Sequence, residues 1–179
     1  MTPQCIRSTS LVLLPGMMCD AGLWGHQEQV LAGQCQVIHG DITADVDVAA
    51  IAARVLANAP DHFALAGLSM GGIVALEMWR QAASRITGLA FLDTNFRADA
   101  PERRQLRDRQ IAAVREGALN TILRDELKPN YLARCHRNNL ALLDEVLAMG
   151  VGLGPEVFAR QSLALRDRPD SSDTLATIS

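Results

Sequence analysis

The chain has 179 residues, 49% of them hydrophobic, and a formal net charge of −3, which suits one domain with a real core and excludes two ordinary ones or a disordered segment. Its longest apolar runs are short, such as residues 11–14 and 88–92, so nothing spans a bilayer, and the first run is too brief for a secretory signal. Residues 1–96 carry 4 Arg against 8 Asp or Glu, and residues 97–179 carry 13 Lys or Arg against 12 Asp or Glu, a charge-dense second part that gives no nucleic-acid footprint.

These bounds make a cytoplasmic location the expectation. Cys5, Cys19, Cys35 and Cys135 have no C-x-x-C spacing and no His at ligand distance, so free thiols are expected rather than disulfides or a metal site.

After a short polar lead, residues 11–14 read as a buried-type strand stopped by Pro15-Gly16-Met17-Met18-Cys19-Asp20. A strand ending in a glycine turn ahead of a helix can present a backbone N–H to a neighbouring strand's loop, and the N–H of Met17 is the candidate. An ordinary strand-to-helix loop has the same sequence appearance. Residues 21–32 follow as a helix, with Trp24 expected in the core rather than against a substrate. Residues 36–38 form a short strand. Residues 45–58 form a helix with Asp45 and Asp47 in its first turn and Val48, Ile51, Ala52 and Val55 on one face.

Residues 63–77, Phe-Ala-Leu-Ala-Gly-Leu-Ser-Met-Gly-Gly-Ile-Val-Ala-Leu-Glu, organise the rest. An apolar strand runs to Gly67, and from Ile73 the spacing is helical, with Val74, Met78 and Ala82 on one face. Ser69 stands between them in Gly-x-Ser-x-Gly. A serine hydroxyl is a poor nucleophile and must project from a strained turn toward a base and an oxyanion site. Gly67 and Gly71 allow strand and helix to pass without a Cβ between them. The helix that begins near Met70 aims free N–H groups at the serine. Three fixed positions match by chance about once in twenty chains of this length, so the strand and helix around them carry the inference. Two other readings share the residues. Ser69 caps a helix, or Gly67-x-Ser69-x-x-Gly72, with Asp93 ending the next strand, imitates a nucleotide-binding loop.

The helix of residues 72–83 leads to a further buried strand, residues 86–92, closed by Asp93. The repeating strand-helix order predicts a parallel sheet of about four strands flanked by helices, with Met17, Ser69 and Asp93 at the strands' carboxyl ends. From Arg97 the pattern is helical only, in segments 101–127, 138–149 and 155–168. These form a helical lid that walls an apolar substrate pocket. The expected division is a core of residues 1–96 and a lid of residues 97–179. Arg103, Arg104, Arg107 and Arg109 suggest carboxylate binding, although a solvated helix face with Glu102 and Asp108 is the commoner arrangement. His136 is the lid's one histidine.

Leu13-Leu14-Pro15-Gly16-Met17, Gly67-Leu68-Ser69-Met70-Gly71-Gly72 and Phe91-Leu92-Asp93-Thr94 together resemble the α/β-hydrolase fold superfamily, over roughly residues 10–170. Within it the chain is similar to the small esterase and enol-lactonase branch. The resemblance implies Ser69 as nucleophile, and Met17 and Met70 as backbone donors to the oxyanion. It implies an acyl-enzyme mechanism on a small ester or lactone without a cofactor. Pro15-Gly16 replaces the usual His-Gly of the oxyanion loop. The family's order Ser, Asp, His then calls for an acid and a histidine after the lid, and neither has a counterpart before Ser179. Asp93 as the acid is the lesser reading beside a structural role. The expectation is therefore an incomplete α/β-hydrolase fold, a truncated chain whose last strand leaves an open edge that invites a homo-oligomer. A non-catalytic relative that binds a small apolar ligand is the alternative.

Overall fold

The computed structural model describes residues 9–178, so Cys5 and most of the polar lead lie outside the described residues. Four strands, β1 (Ser10–Leu14), β2 (Gln36–His39), β3 (Phe63–Leu68) and β4 (Ile86–Leu92), pair in parallel in the order β2-β1-β3-β4. From β1 the chain moves outward to β2, then returns to β3 and proceeds to β4. The direction of winding reverses between β1 and β3, and a crevice opens there at the carboxyl ends of the strands. Leu14 of β1 is in register with Gly67 of β3, which places the Pro15 and Ser69 loops side by side.

Helix α1 (Gly25–Leu31) follows a single tight turn over Ala21–Trp24, and Trp24 is buried against Leu13 and Ala66 on one face of the sheet. Helix α2 (Val48–Asn58) starts at Asp47, whose carboxylate accepts the Ala50 N–H at 3.0 Å. That cap sets its start three residues later than the acidic pattern suggested. Asp45 instead pairs with Arg54. Helix α3 (Met70–Ala82) packs on the same face as α2, with Val74 and Met78 in the core.

Strand β4 departs from expectation. It is an open edge among the described residues, as read, but only Ile86 at its start is buried. Leu89 and Phe91 face the core, whereas Thr87, Gly88, Ala90 and Leu92 are exposed. Its second face carries no helix among the described residues, so its apolar composition reflects the strand's chemistry and not its burial.

The helices after β4 share the sheet's core, because Ile111, Val114, Leu123, Phe158 and Leu165 belong to the same buried cluster as β1 and β3. The helix expected over residues 101–127 breaks in the middle. Helix α4 (Pro101–Arg115) ends where Gly117 takes φ 98°, with Ala118 N–H donating to Ala113 O and Gly117 N–H to Val114 O, the paired closure typical of a glycine stop. Helix α5 (Leu119–Thr121) continues as wider turns over Ile122–Leu127. Helix α6 (Leu140–Asp167) runs past Gly150 and kinks at Gly154, φ 81°, just before Pro155. Gly150 is a packing glycine and not a terminus, since a Cβ there would lie 3.2 Å from Lys128 Cε. A short helix, α7 (Ser172–Leu175), closes the described chain. No helix among the described residues is long and apolar enough to cross a membrane.

Candidate active site

Ser69 sits between β3 and α3 at φ 51°, ψ −109°, a conformation that costs a non-glycine residue about 1–3 kcal/mol and persists only where its surroundings enforce it. The backbone enforces it here. Ser69 N–H donates to Leu92 O at 2.8 Å, and Ser69 O accepts from Gly72 and Ile73 N–H at 3.1 and 3.2 Å. Three glycines make the turn passable. A Cβ on Gly67 would meet the Gly72 nitrogen at 2.5 Å, one on Gly72 would meet Thr94 Cβ at 2.8 Å, and one on Gly71 would meet Leu14 C and Pro15 O at 2.7 Å. Gly67 thus serves the strand-helix approach that the spacing implied. Gly71 serves a different one, the seating of α3 on the end of β1. The Ser69 side chain is exposed and makes no capping hydrogen bond, so its hydroxyl is not used as a helix cap. Gly67 and Gly72 pack against protein atoms, which is not the open cradle a phosphate takes.

The loop after β1 is a four-residue turn. Cys19 N–H donates to Gly16 O at 3.1 Å, and Met18 takes φ 54° at the third position, where a type II turn demands a positive angle. A Cβ built on Gly16 would lie 3.8 Å from Ser69 Cβ, so this turn adjoins the serine. The N–H of Met17, and that of Met70 at the first position of α3, have no protein acceptor among the described residues. An exposed hydroxyl beside two unengaged backbone donors can attack a carbonyl and hold the negative charge that results.

The turn is held from the far side by residues that the sequence reading did not single out. Gln161 of α6, fully buried, accepts the Met18 N–H at 2.8 Å and donates to Ile42 O at 3.3 Å. Lys128 donates to Met18 O at 2.7 Å, and the Tyr131 hydroxyl donates to Met17 O at 3.2 Å. Lys128 is the chain's single lysine and is 1% exposed. Burial draws its ammonium below the ordinary lysine range, and the neighbouring Cys19 acts in the opposite sense. Burial likewise pushes the Cys19 thiol and the Tyr131 phenol up, and the Cys19 sulfur accepts from Lys128 Nζ at 3.7 Å. A lone lysine between Leu127 and Pro129 was the available signal.

A cavity of about 430 Å³ opens beside the serine, and Ser69, Met70, Asp93, Arg103, Arg107 and Arg168 contribute to its wall. The arginine run therefore divides. Arg109 is solvated, as a charged helix face would be. Arg107 contradicts that reading, because it is buried and its Nε donates to Asp99 at 2.5 Å. Asp99 also takes Arg168 Nη1 at 2.7 Å. Asp93, at φ 46°, is exposed on the cavity wall.

Histidines do not reach this wall. His39 is hydrogen-bonded to Glu28 at 2.7 Å, while His26, His62 and His136 are exposed elsewhere. Among the described residues no group of His, Cys, Asp and Glu is arranged to hold a metal ion.

No family model and no curated protein matches the sequence. Solved structures do match the fold. A thermophilic esterase from Thermogutta terrifontis superposes at TM-score 0.82 with 27% identity, over 93% of this chain and 66% of its own. An enol-lactonase from Burkholderia xenovorans gives 0.79 with 19% identity, over 91% and 66%. A hydrolase from Pseudomonas aeruginosa gives 0.78 with 20% identity, over 92% and 66%. The chain spans about two thirds of the length of these structures.

Proposed function

We propose that this chain, which has the α/β-hydrolase fold, is a serine hydrolase that cleaves a small carboxylic ester or lactone through an acyl-enzyme on Ser69. The observation that carries the reading is the exposed Ser69 hydroxyl at φ 51°, set beside the unengaged N–H groups of Met17 and Met70. Ser69 Oγ attacks the carbonyl carbon, and the oxygen becomes an oxyanion held by those two donors at the positive end of α3. The alcohol departs, leaving an ester on Ser69, and water then releases the acid. Helices α4 to α6 act as the lid over this pocket.

The scheme needs a general base to take the serine proton, and the residues lining the cavity do not include a histidine. Without one, attack by Ser69 is slow, and the rate expected of this chain lies far below that of a serine activated by a paired base. That same feature favours a second reading, a binding protein that holds a small ligand under the lid without turning it over.

Release of p-nitrophenol from p-nitrophenyl butyrate separates the two. The hydrolase reading expects a slow but steady rate above a buffer blank. A folded chain that releases no more than the blank contradicts the hydrolase reading and leaves the binding reading standing.

A further inference from the structure

We propose that Gln161 and Tyr131 are positioning residues of the oxyanion turn, which together hold the Met17–Met18 peptide in an orientation that its own residues do not favour. The inference rests on the reading of Met17 N–H as an oxyanion donor and names what keeps that donor in place.

A four-residue turn has two common forms that differ by a half-rotation of its central peptide. In type I both central residues keep a negative φ, which suits most residues. In type II the second central residue takes a positive φ, so glycine or asparagine ordinarily stands there. In Gly16-Met17-Met18-Cys19 that place is held by Met18, at φ 54°. Its side chain is fully buried, which gives the core a methionine where the turn favours a glycine. Left to local preference, the peptide would turn over to type I.

Contacts from the lid decide otherwise. The Met18 N–H donates to Gln161 Oε1 at 2.8 Å, and on the other side of the same peptide Met17 O accepts from the Tyr131 hydroxyl at 3.2 Å. Gln161 is fully buried and is itself fixed, because its Nε2 donates to Ile42 O at 3.3 Å. A carbonyl oxygen only accepts, so the Gln161 amide cannot exchange its two ends. A flipped peptide would turn Met17 O toward Gln161 Oε1, acceptor against acceptor beside a buried side chain. Lys128 Nζ, 4.7 Å from the centre of the Tyr131 ring, holds the next carbonyl, Met18 O, at 2.7 Å. The flip is a rotation about ψ of Met17 and φ of Met18, so it re-seats the residue that carries the donor N–H. Both clamping side chains come from the segment after β4, Gln161 from α6 and Tyr131 from just beyond the turn over Lys128–Asn130. The lid thereby sets the geometry in which the oxyanion donor acts.

NMR of the full chain carrying isotope-labelled methionine reads the sign of φ at Met18, because a positive φ brings a residue's own N–H and Hα together and gives a strong cross-peak between them. The unaltered chain is expected to show that cross-peak. Ser162→Ala should show it too, since Ser162 is the next residue on α6 and its hydroxyl has no partner among the described residues. Gln161→Met is expected to lose it, and Tyr131→Phe, which deletes only the hydroxyl, to weaken it. In Gln161→Met the labelling of Ser69 by a fluorophosphonate with added imidazole should slow about ten-fold or more, in the maximal rate and not in the probe concentration that gives half of it. The proposal is overturned if the unaltered chain lacks the cross-peak or if both variants keep it at full strength. Should Gln161→Met fail to fold, Tyr131→Phe decides. A cross-peak lost from the variants of a chain whose Ser69 takes no label leaves the clamp standing and removes the Ser69 reading. Labelling unchanged in a variant that has lost the cross-peak overturns the positioning role and leaves Ser69 as the nucleophile.

Discussion

Ser69→Ala is expected to lower ester hydrolysis to the blank while leaving the fold unchanged. The hydroxyl is the atom that forms the acyl bond, so its loss removes the covalent route and with it the slow rate above the blank. Stability should move by less than about 0.5 kcal/mol, because the side chain is exposed and makes no capping hydrogen bond. The backbone strain at φ 51° persists with alanine, held by the bond from Ser69 N–H to Leu92 O. Rates and a urea titration of the same preparations separate the two effects. A variant that keeps half the activity shows that the hydroxyl is a bystander, and one that unfolds shows that it is structural.

Asp99→Ala should be the most damaging single change to stability, about 3–5 kcal/mol. Asp99 is 8% exposed and bonds both Arg107 at 2.5 Å and Arg168 at 2.7 Å, and both arginines are themselves buried. Removing the one anion leaves two cations facing each other out of water, and uncompensated buried charge is the costly outcome when such a group is broken. Asp99→Asn keeps the shape and some hydrogen bonding and should lose less. Urea unfolding midpoints at constant slope report both. A loss below about 1 kcal/mol for alanine means that the cluster is solvated in solution.

Much of this was legible because it is local. The elbow needs an apolar run, two glycines and a change of period within fifteen residues, and the chain folds there as its pattern says. The positions that misled are those decided by distant partners. Gly71 makes room for the end of β1, a contact no neighbour in sequence announces. Arg107 sits in a run of arginines that reads as a wet helix face, and only Asp99, eight residues upstream, explains its burial. Lys128 and Gln161 fix the Met17–Met18 turn from 110 and 143 residues away. Gly117 is a different case: its φ of 98° ends α4, and a glycine in that place was a readable stop that a continuing apolar period concealed. The apolar chemistry of β4 matched a buried strand, but burial depends on what covers a strand and not on its composition.

The measurement that most directly tests Ser69 as nucleophile is labelling of the purified chain with a fluorophosphonate, with intact mass as the readout and added imidazole as a soluble base. The account predicts one adduct, on Ser69, formed faster with imidazole and absent from Ser69→Ala. No adduct with or without imidazole, on a chain whose circular dichroism shows it folded, contradicts it.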